Sequence, residues 1–371
     1  MTTHRILSFI ESDARPAVLA TIVGAEGHAY RKTGASMLFV QYGEPIGHLS
    51  PGCLESDLQL RAEHVWRSGI PETAEYDMRL DEDPVWGEAV GCGGKIQVLL
   101  EPVRGPLRMM LKEIGRLNEQ GCPVWLDRLV SDGGMRYRLL LEARTVADNA
   151  YEKSPGTYEP TPFMPQSRLI IFGAGADAKG VSSLAEKVDF RIALGDWRES
   201  ACTEDDYPNA QLAVGTPEEI VRQLGIGTED FVLVCSHHFS KDKAFIRAAA
   251  AAAPGYLGVM GSSVRIGLLL DGMGRIEGLK APVGMAIGAE GPEEIAVSIV
   301  AELIQERKKR LERYLMGGLS FESSRDLSGG WPEPTNGNAE AFSGVVGWED
   351  VRERGSGAAE PSWHRSAGRS C

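Results

Sequence analysis

Long unbroken apolar runs are missing from this chain of 371 residues. No stretch approaches the ~18 apolar residues of a membrane-spanning helix. The amino-terminal MTTHRILSFIESDARP has neither an apolar core nor a small-residue cleavage site, so no signal peptide is expected and the cytoplasm is the expected location. Paired cysteines are missing too. The six cysteines (Cys53, Cys92, Cys122, Cys202, Cys235 and Cys371) form no C-x-x-C pair. That removes zinc-ribbon and thioredoxin-type readings and leaves free thiols as the expectation. P-loop, G-x-S-x-G and H-E-x-x-H motifs do not occur, which weighs against NTPase, serine hydrolase and zincin chemistry. Excess positive charge is also lacking. A formal net charge of −13, spread along the chain, speaks for solubility and against a nucleic-acid partner.

What is present is an ordinary apolar share, enough for a core, and a length that suggests two or three domains. Four segments follow from pattern. Residues 1–104 carry two β-rich runs around the Arg31–Gly34 turn, a turn at 42–45, a short strand at Ile46–Leu49, a helix over 51–68 and a strand at 95–103 with alternating Ile96, Val98 and Leu100. Ser50 reads as N-cap of that helix, Pro51 as its first residue, and Gly69 with Pro71 as its stop. Residues 105–166 open with a helix whose apolar face is Leu107, Leu111, Ile114 and Leu117. A β-hairpin turning at Asp132-Gly133-Gly134 follows, and 151–167 reads as a linker.

Residues 167–316 alternate strand and helix. Strands are expected at 168–172, 191–196, 211–214, 230–235 and 256–260, with helices near 176–187, 217–224, 240–252 and 262–270. This rhythm predicts a doubly wound parallel sheet, closed by a long helix from Pro292 to about Leu315. The fold class is therefore α/β: a small mixed α/β amino-terminal domain and a Rossmann-like carboxyl-terminal domain. Residues 317–371 are rich in Gly, Ser, Pro and Glu, and disorder is expected there.

The strongest chemical signal is RLIIFGAGADAKG. Gly173 permits a tight turn, Gly175 lets the backbone approach a diphosphate, and Ala178 allows close helix–strand packing. Asp196 ends the next strand about 20 residues on, where a ribose-binding carboxylate belongs. The motif recognises a phosphate group before it recognises nicotinamide. With Ser50 as N-cap, Cys53 falls at the third helical position, where amides and dipole favour a thiolate; a buried structural cysteine is the competing reading. Cys92 sits in GCGGK, where missing side chains admit either a ligand or a strand bulge. Both thiolates suit a soft metal such as molybdenum or copper. His237, His238 and Asp242 follow a strand, and Gly261 lies in a turn after the next, both at the ligand edge of such a sheet. Capping by Ser240 with exposed histidines is the alternative. Cys122, Cys202 and Cys235 read as structural. On residues alone, a NAD(P)-dependent oxidoreductase using Gly173, Gly175 and Asp196, with His238 as acid/base, stays open.

Taken together, RKTGASMLF, GHLSPGCLESD and GCGGKIQVLLEPV, then IIFGAGADA, GDWRE, CSHHFSKDKAFI, YLGVMGS and KAPVGMAIGAEGPEEIAVSIVAELI resemble the XdhC/CoxI family of xanthine dehydrogenase accessory proteins. The resemblance covers roughly residues 10–105 and 167–306. It implies a non-catalytic chaperone that binds the molybdopterin form of the molybdenum cofactor, supports its sulfuration by a cysteine desulfurase and delivers it to a xanthine-dehydrogenase-type apoenzyme. It also implies a homodimer, and leaves room for a stable subunit of that enzyme. Cys53, Cys92, Gly173, Gly175, Asp196, His238 and Gly261 are the cofactor-binding residues this reading expects, with Cys53 and Cys92 as contacts to molybdenum. The chain departs from the family pattern at Ala176 and Asp177, where a histidine is frequent, and at Ser263, where a basic residue is frequent.

Overall fold

A computed structural model describes residues 2–78, 94–131, 134–141 and 158–315. Residues up to Pro165 form one compact unit and Gln166–Leu315 another. Cys92, the 132–133 part of the hairpin turn, most of the linker and residues 316–371 lie outside the described residues.

The first unit contains α1 (Thr2–Ser12), β1 (Ala17–Gly27), β2 (Ser36–Val40), α2 (Glu55–Ser68), β3 (Glu72–Asp77), β4 (Gly94–Pro102), α3 (Gly105–Glu119), β5 (Val124–Ser131), β6 (Gly134–Leu140) and β7 (Thr161–Phe163). Strands β2-β1-β4-β3 form an antiparallel sheet, and β6-β5-β7 form a second. Side chains alternate across a strand, so β1 serves two cores. Val18, Ala20 and Ile22 pack with Leu54, Leu58, Ala62 and Val65 from α2 and its entry turn. Ala17 and Leu19 join Ile6 and Ile10 of α1 and Leu107, Leu111 and Ile114 of α3. The expected strand at 46–49 is reduced to one bridge, Leu38 to Ile46. The expected linker contains β7, which pairs with β5.

The second unit contains β8 (Arg168–Phe172), α4 (Ala176–Lys187), β9 (Arg191–Asp196), β10 (Gln211–Val214), α5 (Pro217–Leu224), β11 (Phe231–Val234), α6 (Phe239–Ala251), β12 (Tyr256–Val259), α7 (Ser263–Leu270), β13 (Leu279–Lys280) and α8 (Gly291–Leu315). The strand order β10-β9-β8-β11-β12-β13 is parallel throughout. It is the 3-2-1-4-5-6 order of a Rossmann sheet, reversing direction between β8 and β11. Leu169 and Ile171 face α4 and α8, beside Val181, Ile299 and Leu303. Ile170 and Phe172 face the opposite layer, beside Ile220, Phe245 and Ile266. Two-sided burial explains why these strands are apolar without alternation.

Among the described residues, no helix is long and apolar enough to cross a membrane.

Candidate functional site

Ligands of open parallel sheets bind beyond the carboxyl ends of the strands, where the strand order reverses. That edge of the second unit gathers five of the seven expected site residues: Gly173 after β8, Gly175 at the start of α4, Asp196 at the end of β9, His238 after β11 and Gly261 after β12.

The two glycines of the first turn do different things. Gly173 has φ of 108°, and a Cβ there would stand 2.4 Å from the Cα of Ser236. Its missing side chain lets the loops after β8 and β11 touch. Gly175 is the N-cap of α4 with an extended backbone, and a Cβ there would meet nothing within 4 Å. Of the two, Gly175 leaves open space for a ligand.

Asp196 is fully buried. Its Oδ1 accepts from Arg198 N at 2.8 Å and Nε at 2.9 Å, while Oδ2 accepts from Ala174 N and Arg198 Nη2, each at 2.8 Å. Burial raises its pKa, but the Arg198 side chain and the amides of Ala174 and Arg198 outweigh burial and hold it below the ordinary carboxylate value. The carboxylate ties the glycine turn to the end of β9.

The loop after β11 is built around strain and charge. His237 adopts φ of 59°, unusual for a side chain with a Cβ. Its Nε2 lies 2.6 Å from Asp177 Oδ2 in the first turn of α4. Ser236 donates to the buried carboxylate of Asp242, which also accepts from Arg265 Nη2 at 2.5 Å. Arg265 lies over Phe239, and its stem fills the space a Cβ on Gly261 would enter, 3.2 Å away. His238 is the N-cap of α6, and its Nδ1 lies 3.3 Å from Ser240 Oγ. Its ring meets Trp197 edge-on, centroids 5.3 Å apart. Trp197 also lies 5.9 Å from Phe172, with the Arg198 guanidinium 4.9 Å and Lys241 Nζ 5.8 Å from its ring. The expectations at this edge did not include Trp197, Arg198 or the Asp177–His237 pair. An arginine two residues after Asp196 was the signal for a committed carboxylate.

In the first unit, Cys53 stands before the helix rather than inside it. Helix α2 begins at Glu55 with Leu54 as N-cap. Glu55 captures the amides of Leu49 and Ser50, at 3.2 and 2.8 Å, and the Ser50 hydroxyl. Burial raises the Glu55 pKa, but Ser50 and these amides outweigh it and hold the carboxyl below its ordinary value. Ser50 Oγ in turn accepts from Gly52 N and Leu54 N, each at 3.2 Å, closing a tight turn. The first-turn placement expected to favour a thiolate therefore does not hold. Cys53 is half-buried and lines a recess with Tyr30, Arg31, Ser50, Met78 and Ile96. The recess has room for roughly one water-sized group. Cys92 lies outside the described residues. Gly94, two residues on, is required by packing: a Cβ would stand 2.6 Å from the His28 carbonyl oxygen. Cys202 and Cys235 are buried, and burial pushes both thiols up, as structural cysteines. Among the described residues, no three His, Cys, Asp or Glu side chains gather as a metal site.

Residues 169–303 match the XdhC Rossmann domain, and residues 11–77 match the XdhC and CoxI family. A Bacillus subtilis protein, named as a probable subunit of xanthine dehydrogenase, is 35% identical over 329 residues, covering 82% of this chain and 98% of that protein. The molybdenum cofactor insertion chaperone PaoD of Escherichia coli is 28% identical over 300 residues, covering 78% of this chain and 83% of that one. A crystal structure described as a xanthine dehydrogenase from Bacillus halodurans superposes with a TM-score of 0.77 at 36% identity, covering 84% of this chain and 98% of that one.

Proposed function

Because the chain belongs to the XdhC and CoxI family, we propose that it is an accessory protein of a molybdenum hydroxylase of the xanthine dehydrogenase type, with the molybdenum cofactor as its cargo. The observation that carries this reading is similarity over most of the chain to a probable xanthine dehydrogenase subunit and to a molybdenum cofactor insertion chaperone. One covers 98% of its own length against this chain, and another is an insertion chaperone matched over 83% of its length.

Each unit, taken by itself, offers candidate contacts. In the Rossmann unit, residues 167–316 of the expected boundaries, Gly175 and the free amides of α4 form the open part of the carboxyl edge. They suit the phosphate of the cargo. His237 and Asp177, 2.6 Å apart, sit in the adjoining loop and first turn at the same edge. In the amino-terminal unit, the Cys53 recess is proposed to admit one atom-sized substituent. Cys53 then contacts or guards the terminal sulfur or oxygen of the cargo. Cys92 is proposed as the second thiol. Sulfuration by a cysteine desulfurase, release to a xanthine-dehydrogenase-type apoenzyme in the molybdopterin form, and action as a homodimer complete the proposal.

The test uses the full chain. It is mixed with molybdenum cofactor, passed through gel filtration, and its molybdenum is measured by mass spectrometry. Stoichiometric retention is expected for the wild type and a marked loss for Cys53→Ala/Cys92→Ala. No retention by the wild type would overturn the cargo reading. Full retention by the variant would overturn the role of the thiols.

A further inference from the structure

We infer that the Rossmann unit is closed to the nucleoside half of NAD-type dinucleotides by its own side chains, and that Trp197 and Arg198 are the residues that close it. This exclusion does not depend on the molybdenum cofactor being the cargo.

Two independent features of the edge carry it. The first is the saturation of Asp196. Rossmann domains that take a dinucleotide turn the carboxylate after their second strand toward the ribose hydroxyls. The carboxylate must then keep acceptor positions free. An ionised carboxylate has about four. Asp196 uses them on two contacts per oxygen, three from Arg198 and one from Ala174 N, all at 2.8 to 2.9 Å. It is fully buried, so no acceptor direction reaches the surface. Turning it outward would strip the glycine turn of an amide acceptor and leave a buried charge unpaired.

The second feature is the filling of the slot. Strand β8 lies between β9 and β11. A nucleoside bound at such an edge lies over the carboxyl end of the middle strand, between the loops that follow its two neighbours. Here those loops touch. Trp197 follows β9, His238 follows β11, and their rings meet at 5.3 Å across the end of β8, above Phe172. Arg198 and Lys241 lie against the same indole. Adenine would have to displace the indole together with its cationic neighbours. Arg198 is held against Asp196 through Nε and Nη2, so the edge of its guanidinium that would fork onto a 2′-phosphate is already in use.

Calorimetric titration of the full chain with NADH, NADPH and ADP-ribose tests this. The wild type is expected to give no saturable heat up to about 1 mM, a Kd no tighter than about −4 kcal/mol allows. Trp197→Ala/Arg198→Ala opens the slot and frees acceptor positions, and is expected to gain at least about tenfold in affinity for ADP-ribose. Trp197→Ala alone keeps the Asp196–Arg198 contacts and is expected to gain less. If the double variant does not fold, the single variant carries the test, since any gain with ADP-ribose supports a filled slot. Saturable submillimolar binding of NADH or NADPH by the wild type overturns the inference. So does a folded variant with no gain. Molybdenum retention by the wild type is unaffected in either case, which separates this result from the cargo reading.

Discussion

Two glycines two residues apart show how one motif can serve packing and binding separately. Gly173→Ala would place a Cβ at 2.4 Å from the Ser236 backbone at a φ of 108°. Strain and overpacking together predict a loss of about 3 kcal/mol in urea unfolding. Gly175→Ala meets open space and costs at most about 1 kcal/mol as a poorer N-cap. Cargo retention should fall in Gly175→Ala even though its unfolding midpoint stays close to the wild type. The opposite ranking of the two variants in unfolding would contradict this assignment. Asp196 and Cys53 mark where the site was not legible in sequence. The spacing that places a carboxylate after the second strand is real, but Arg198, two residues on, takes up its oxygens. Ser50 and Pro51 have the composition of a helix start, yet Glu55 reaches back to Ser50 and the helix begins after the cysteine. Both departures come from short-range side-chain competition that composition does not rank.

The elements of the Rossmann unit were legible because burial on both faces leaves long apolar strands separated by amphipathic helices. β8 to β10 and α4 fall on their expected bounds. What escaped includes two-residue β13, three-residue β7 with Pro162 at its centre, and six-residue β3, whose ETAEYD is mostly polar. Helix α1 was missed although Ile6, Leu7 and Ile10 have helical spacing and are buried. In the amino-terminal unit, a buried ion pair joins the two sheets. Arg128 on β5 donates through Nε to Glu101 on β4 at 2.8 Å and through Nη1 to Thr161 on β7 at 2.7 Å, with both charged side chains fully buried. Arg128→Met or Glu101→Gln alone should cost about 3–5 kcal/mol, since each leaves its partner buried and uncompensated. The double variant should lose less than either single one. A double-mutant cycle in urea reads the difference, and simple addition of the two losses would show that the pair is not coupled.

At the scale of the whole molecule, each unit closes its own cores. Every strand neighbour and both apolar layers of the Rossmann sheet lie within Gln166–Leu315. The fragment 166–315, expressed alone, is therefore expected to unfold cooperatively on heating and to show a structured near-ultraviolet circular dichroism spectrum. A gradual, featureless transition would mean that the first unit is needed to complete it.

Helix α8 bears on how such experiments can be arranged. Two turns from its start it packs beside Gly284 and Met285, beyond the carboxyl end of β13, where Ser298 Oγ donates to the Met285 carbonyl at 2.8 Å. It ends beside Glu229, just before β11, where Tyr314 Oη donates to the carboxylate at 2.8 Å. A linkage made at residue 315 therefore leaves from the side of the sheet opposite the crevice. Tethered to a sensor chip at that point, the Rossmann unit would turn its crevice edge toward the flowing analyte, an orientation the protein supplies without redesign.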